Sequence, residues 1–300
     1  MNNTNILGEE LVHRYCCLMQ KELYFRQQKS LDFISIQVYL KNLFRPDLSL
    51  IPLGILGYSQ RLELMISELK KLSSGSKILD AGCGYGTESI LFSSLGHDVT
   101  GVELVKERTE LAKSRVDFFS SAVFPDLKIQ FINANIFKFL QESKPWDVIW
   151  IMEAISHIYP PEKFLTLTYK KLKPGGKLII SDPNKINPLA LIRSIKIRGS
   201  IRHKTHTRFM DPHTGKPVDY GQEKIYSVFK FQKILKKCGF EIEKVHISGF
   251  LGASFLPNTL LTSKAAYKIL SFIQKNFQKL PGIRYCGSLY TIVAAKKPDN

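Results

Sequence analysis

The stretch Lys77-Ile78-Leu79-Asp80-Ala81-Gly82-Cys83-Gly84-Tyr85-Gly86-Thr87, followed by Gly101-Val102-Glu103, decides the fold. Lys77 to Leu79 form a short apolar run of strand character, the three glycines a tight turn, and Thr87 to Phe92 the start of a helix. Glycine lets backbone N–H groups approach a ligand more closely than any side chain would permit, and the start of a helix adds donors of its own. The residues 98–103 form the next strand, and Glu103 closes it 23 positions after Asp80. An acidic side chain at that place accepts hydrogen bonds from ribose hydroxyls.

Two cofactor classes use this arrangement. A dinucleotide fingerprint is G-x-G-x-x-G, whereas this loop is G-x-G-x-G with Asp80 two positions before the first glycine. A carboxylate there repels a pyrophosphate and attracts a cationic amino-acid group. S-adenosylmethionine carries such a group.

With these residues the chain resembles the class I S-adenosylmethionine-dependent methyltransferases, and more narrowly the type 11 and ubiquinone-biosynthesis methyltransferases, from about Lys77 to Phe240. The family's Asp-x-Gly-x-Gly-x-Gly loop matches Asp80, Gly82, Gly84 and Gly86. Its acidic ribose ligand matches Glu103, and its fourth strand matches Trp146-Asp147-Val148-Ile149-Trp150. Its turn into the fifth strand matches Leu172-Lys173-Pro174-Gly175-Gly176-Lys177-Leu178-Ile179-Ile180. The resemblance implies a seven-stranded, Rossmann-like α/β sheet whose last strand inserts antiparallel between the fifth and sixth. It also implies cofactor contacts from Asp80, Gly82, Cys83, Gly84, Gly86, Glu103, Leu104, Asn135, Ile136 and Met152. The family usually has an Asp after the third strand for the adenine amino group; here Asn135 stands there, and its amide oxygen can still accept that bond.

The pattern along the chain agrees. Strands at 77–80, 98–103, 128–132, 146–151 and 177–182 alternate with helical stretches, which implies a parallel sheet covered on both faces with ligands at the carboxyl ends of its strands. Residues 240–247 and 289–295 supply two more strands. Ahead of the sheet, 9–44 and 61–72 are helical in pattern, with Pro46 and Pro52 as punctuation. We therefore divide the chain into a helical cap, 1–75, and a cofactor-binding domain, 76–300, with insertions at 183–221 and 249–288. Both insertions exceed ordinary loop lengths and carry apolar pattern, so substrate selectivity is expected there.

Composition bounds the function. The chain has 300 residues, 44% of them hydrophobic, and a formal net charge of +17, an excess that favours anionic partners. Its five cysteines show no metal-ligand spacing, and no amino-terminal targeting segment is legible; reduced thiols in the cytoplasm are the expectation. No apolar run approaches the length of a membrane span. Cys83 lies in the glycine loop without an implied histidine partner and is not expected to act as a nucleophile.

His157, just past the fourth strand, is the candidate catalytic residue, since imidazole suits proton transfer near neutral pH. Its alternative is a histidine packed on a helix face or capping a backbone carbonyl. Ubiquinone-biosynthesis O-methyltransferases and small-RNA 2′-O-methyltransferases carry Glu-x-x-Glu-His here and hold a divalent metal with it. Glu153 and His157 match, but Ser156 replaces the second Glu, so tightly bound Mg²⁺ is not expected. Tyr159-Pro160-Pro161-Glu162 lacks the flanks of the amino-methylating DNA enzymes; its prolines are expected to start a helix. No cysteine follows a proline, so the Pro-Cys nucleophile of cytosine-C5 methylases is missing.

Residues 193–208 hold six Lys or Arg and no acid, a candidate anion site, and His206, Arg208 and Tyr220 are candidate substrate contacts. Lys264, Lys268, Lys275 and Lys279 fall within about 60° of arc on a helix, opposite Ile269, Ile273, Phe277 and Leu280. The simpler expectation is that this apolar stripe packs on the domain; the alternative is peripheral contact with an anionic membrane. The leading functional expectation is methyl transfer to a small or lipid-linked acceptor, with oxygen as the acceptor atom. The alternatives are an RNA methyltransferase, for which no RNA-binding module or aromatic stacking platform is found, and a cofactor-binding protein without transferase activity.

Overall fold

The computed structural model describes residues 4–28, 43–44, 49–188, 208–210, 217–219, 225–250 and 263–297. The chain divides into two compact units, Met1–Glu68 with Ile247–Leu289, and Leu69–His246 with Tyr290–Asn300.

The first unit opens with α1 (Thr4–Gln28) and α2 (Pro52–Leu69). Val12, Tyr15, Cys16, Met19 and Leu23 form the buried stripe of α1, with the 3–4 spacing of an amphipathic helix. The rest of the helical pattern expected up to residue 44 lies largely outside the described residues.

The second unit is built on β1 (Lys77–Ala81), β2 (Asp98–Glu103), β3 (Ile129–Asn133), β4 (Trp146–Met152), β5 (Leu172–Pro183), β6 (Arg208–Met210), β7 (Pro217–Asp219), β8 (Glu241–Ser248) and β9 (Leu289–Ala295). All but β6 and β7 form one sheet, in the order β3-β2-β1-β4-β5-β9-β8. The pairs β1–β2, β1–β4, β2–β3 and β4–β5 are parallel. Lys296 N–H donates to Gly176 O, while Thr291 Oγ1 donates to Ser181 Oγ. Rising numbers on one strand thus meet falling numbers on the other, so β9 runs antiparallel to β5, as the resemblance implied.

Helices α3 (Thr87–Ser94), α4 (Lys106–Ala122), α5 (Ile136–Glu142), α6 (Pro161–Lys171) and α7 (Val228–Lys237) fill the crossovers. The central strand carries a continuous apolar run, with Val148, Ile149, Trp150 and Ile151 all buried in β4. This is the continuous hydrophobic run that a strand covered on both faces requires. The Trp150 ring stands edge-on to Phe92 of α3 at 5.7 Å between centroids. Pro161 opens α6, as its neighbours suggested, because its missing N–H is no loss in the first turn.

Three expectations need adjustment. β5 begins at Leu172 rather than at 177, because Leu172 pairs with Trp146 across a register shift between Trp146 and Val148. Inside the 183–221 insertion β6 and β7 form a small antiparallel pair, which the sequence pattern did not reveal. In the first unit the helix expected over 61–72 is the longer α2: Pro52 starts it instead of interrupting the chain.

The first unit also contains α8 (Lys264–Phe277), whose expected apolar stripe is covered only in part. Its buried side centres on Gln274, roughly 100° around the helix from the predicted apolar stripe, and Gln274 Oε1 accepts from Phe250 N–H. Within the stripe Phe277 packs on Phe250 and Ile273 is half-buried, whereas Ile269 is 59% exposed; Phe272, outside the stripe, is 70% exposed.

Candidate functional site

The glycine loop leaves β1 and turns back over β2. Gly82 N–H and Cys83 N–H both donate to Val102 O, at 2.8 and 3.1 Å, and Gly86 N–H closes the turn on Cys83 O at 2.9 Å. Gly82, Gly84 and Gly86 all have positive φ (78°, 54° and 71°), the left-handed region that other residues enter only with strain. Their surroundings differ. A Cβ on Gly82 would lie 2.7 Å from Ala154 Cβ, and one on Gly86 would lie 2.3 Å from the Phe131 ring. A Cβ on Gly84 would meet nothing within 4 Å, so the crown of the loop stays open.

The Glu103 carboxylate faces that crown. It is buried, with Oε2 accepting from Gly84 N–H at 3.0 Å and Oε1 from Val105 N–H at 2.9 Å. A carboxylate has about four acceptor directions, so each oxygen keeps capacity for a further donor such as a ribose hydroxyl. Arg108 stands 4.0 Å from Oε1, with its guanidinium over the Tyr85 ring. An open glycine crown beside a fixed acceptor carboxylate fits an adenosine-type cofactor.

Asp80 sits behind the loop. Its Oδ2 accepts from Ser89 Oγ of α3 at 2.5 Å, and the residue is buried. Burial first, then the neighbouring Glu88 and Glu103 charges, raise its pKa to about 8, with the Ser89 bond opposing. The carboxyl therefore keeps a proton near neutrality, and its attraction for a cation develops only as that cation displaces the proton.

Cys83 is buried and its thiol pKa is raised, chiefly by burial and then by the Asp80 and Glu103 charges, which opposes a nucleophilic role. Its sulfur packs towards Gly101, 2.8 Å from where a Cβ on that glycine would lie. Asn135 caps α5: its Oδ1 accepts from Phe137 N–H at 2.9 Å and retains one acceptor direction. Leu104 and Ile136 lie at the carboxyl ends of β2 and β3, and both are half-buried. Met152 ends β4, and Glu153 follows with φ of 49°, a strained conformation for a non-glycine residue. His157 is half-buried in the 3-10 turn Ile155–His157. Among the described residues no group of three or more His, Cys, Asp and Glu is placed to hold a metal ion. His206 and Tyr220 lie outside the described residues, with most of the basic stretch 193–208. Arg208 opens β6, its backbone opposite Asp219.

Sequence reading missed two supports of this site. Arg115 of α4 is 1% exposed and donates through Nη1 to Tyr85 O at 2.8 Å and to Thr87 Oγ1 at 2.6 Å, tying the loop to the helix behind it. Nothing local distinguishes it from the other charged residues of α4. Asn133 pairs in register with Glu103 and donates through Nδ2 to the carbonyls of Glu103 and Leu104, fixing the turn that aims the carboxylate. Its position at the end of β3 was the available signal. A third group, Asp182, Asn184 and Tyr226, is buried near the carboxyl end of β5. Asn184 Oδ1 there accepts from Val228 N–H at 3.3 Å.

A mixed sheet with this order and an antiparallel β9, a three-glycine loop after β1 and an acid closing β2 define the class I methyltransferase fold. The sequence profile of the family described as "Methyltransferase domain" matches residues 58–245, more than half of the chain, and the chain belongs to that family. Mitochondrial ubiquinone biosynthesis O-methyltransferase of Rattus norvegicus is 31% identical over 176 residues, 57% of this chain and 46% of the relative. Ubiquinone biosynthesis O-methyltransferase of Xylella fastidiosa (strain M23) is 33% identical over 112 residues, 37% of this chain and 44% of the relative. The chain thus spans about half the length of the curated relatives it matches. Magnesium protoporphyrin IX methyltransferase of Synechocystis PCC 6803, crystallised with SAH, superposes with a TM-score of 0.51 at 16% identity, over 81% of this chain and 84% of that one.

Proposed function

We propose that this protein transfers the methyl group of S-adenosylmethionine to an oxygen atom of a small-molecule acceptor. The observation that carries the reading is the Glu103 carboxylate, held by Gly84 and Val105 N–H groups beside an open glycine crown, in a chain of the methyltransferase family. The relatives named for ubiquinone biosynthesis O-methylation support oxygen as the acceptor atom and a hydroxylated, lipid-linked ring as the acceptor class.

Bound S-adenosylmethionine supplies an electrophilic methyl group on a sulfonium. Glu103 binds the ribose, Asn135 accepts from the adenine amino group, and the crown around Gly84 admits the ligand against the backbone. Much of the acceleration in such a transfer comes from alignment and exclusion of water, to which the glycine loop pinned by Arg115 and the Glu103 turn pinned by Asn133 contribute. His157, just beyond β4, takes the hydroxyl proton of the acceptor. An assay with methyl-labelled S-adenosylmethionine and a panel of catechol, amine and RNA acceptors tests this. Label is expected in the catechol ether, and His157→Gln should reduce kcat about 10²-fold or more while S-adenosylhomocysteine affinity is retained. Label confined to RNA or amine would overturn the acceptor assignment, and no turnover with intact cofactor binding would overturn transferase activity.

We further assign the exposed side of α8 and the turn after it to an anionic membrane surface. Ile269, Phe272, Leu280 and Ile283 are exposed apolar side chains, with Lys268, Lys279 and Arg284 exposed among them. No Asp or Glu occurs between Lys244 and Pro298 to oppose lipid charge. Among the described residues no helix is long and apolar enough to cross a membrane. Flotation with vesicles containing phosphatidylglycerol should carry the protein upward, and Ile269→Asp with Phe272→Asp should leave it at the bottom. Equal flotation of both forms would refute the assignment.

A further inference from the structure

The first compact unit contains a cavity of about 680 Å³ whose described lining comes from α1, α2 with the residues just before it, and α8. This volume lies within the range of sites for drug-sized molecules. Leu50, Pro52 and Ile55 give it an apolar side, and Glu9, Glu10 and His13 of α1 give it a polar one. None of these residues belongs to the cofactor loop.

The placement of Glu9 is the telling feature. The buried stripe of α1 runs through Val12, Cys16, Met19, Leu23 and Arg26, and Glu9 continues it at the same 3–4 spacing. An apolar residue would ordinarily complete such a stripe. The stripe's other carboxylate neighbour, Glu22, is buried and neutralised by Arg26 one turn on, at 2.8 Å. Glu10 pairs with Arg14 in the same i, i+4 relation. Glu9 has His13 at that position and accepts its hydrogen bond from the Tyr267 hydroxyl of α8, a neutral donor. Burial first, then that bond and the Glu9 charge, push the Tyr267 pKa up to about 12, so the phenol stays protonated and continues to donate. The result is a half-buried carboxylate, oriented by a neutral hydroxyl, at the edge of an apolar cavity.

We propose that this cavity binds an amphipathic organic amine, its ammonium group on Glu9 and its apolar body against Leu50, Pro52 and Ile55. An ammonium adds a charge-assisted donor to the neutral one that Tyr267 supplies, and the hydrocarbon part removes the apolar wall from water. In a chain of net charge +17, a cavity edged by the Glu9 carboxylate, whose described partner is a neutral hydroxyl, also selects against the anions that the rest of the surface attracts.

Calorimetric titration of the full-length protein with n-hexylammonium, methylammonium and hexanoate tests the proposal. Hexylammonium is expected to bind about tenfold or more tightly than either of the others, since methylammonium lacks the apolar body and hexanoate the charge. Glu9→Gln should remove the preference for hexylammonium over hexanoate, and Leu50→Trp, which fills the apolar side, should remove hexylammonium binding. Thermal melts confirm that both variants fold; if Glu9→Gln does not, Leu50→Trp and the hexanoate comparison on the unmodified protein decide. Absence of hexylammonium binding, hexanoate binding as well as hexylammonium, or a preference that survives Glu9→Gln would each overturn the proposal.

Discussion

Glu103→Ala is expected to weaken S-adenosylhomocysteine binding about 100-fold or more. The wild-type carboxylate already accepts from Gly84 and Val105 N–H, and ribose hydroxyls would add hydrogen bonds to a charged acceptor. Bonds of that kind contribute about 1.5–3 kcal/mol each, so the loss of two reaches about 3 kcal/mol at the lower bound. Truncation also leaves two backbone donors without their acceptor, and the loop loses its tether at Gly84 while Gly82 and Cys83 stay bonded to Val102 O. Glu103→Gln should fall between the two, because one amide oxygen can serve one donor while the amide NH₂ opposes the other. Calorimetry with S-adenosylhomocysteine measures both variants. A Glu103→Ala protein that binds within about threefold of wild type would show that this carboxylate does not hold the ribose.

The same region shows how far a sequence can be read. The strand, turn and helix of the glycine loop and the acid that closes β2 were legible, because each is encoded by residues close in sequence: strand-forming apolar runs, glycines at positive φ, and an acid at a strand end; the place of the last strand came from the family resemblance and not from local pattern. Arg115 was not legible. It acts through a fold contact to Tyr85 and Thr87, some 30 positions away, and its helix offers no local sign that one cation among several turns inward. The rotation of α8 was legible only in part, for a related reason. The apolar stripe runs through Ile269, Ile273, Phe277 and Leu280, yet Gln274 is the most buried side chain and meets the N–H of Phe250, so the covered side is turned towards Gln274 and Phe277 and leaves Ile269 and Leu280 exposed. Hydrophobic periodicity cannot see a backbone donor elsewhere in the chain. Asp80 is an intermediate case: its position was read from the motif, but its proton depends on burial and on Glu88 and Glu103, which only the folded structure brings together.

The glycines themselves carry a second message, and Gly86→Ala exposes it. All three loop glycines suit the close approach of a ligand, but Gly86 is required by the protein's own packing. The Phe131 ring lies against it: an added Cβ would stand 2.3 Å from Cζ and 2.7 Å from Cε1, with Ala112 Cβ at 3.1 Å. The same ring would meet a Cβ on Gly101 at 2.5 Å, so Phe131 fills space that two glycines leave between β2 and the loop. A buried aromatic ring has no room to yield, and the left-handed backbone at Gly86 adds about 1–2 kcal/mol for any residue with a Cβ. Together with overpacking of about 1–3 kcal/mol, Gly86→Ala should cost about 2–5 kcal/mol, a large part of a domain's stability. Gly84→Ala is the control. Its backbone is also left-handed, but its Cβ meets nothing, so urea denaturation should show a loss of about 1–2 kcal/mol only. Adding Phe131→Leu to the Gly86→Ala protein should restore part of the loss, since a smaller, flexible side chain can move aside, although Phe131→Leu alone is destabilising. Equal losses at Gly84 and Gly86, or no recovery in the double variant, would show that backbone conformation alone fixes these glycines and that the Phe131 ring does not.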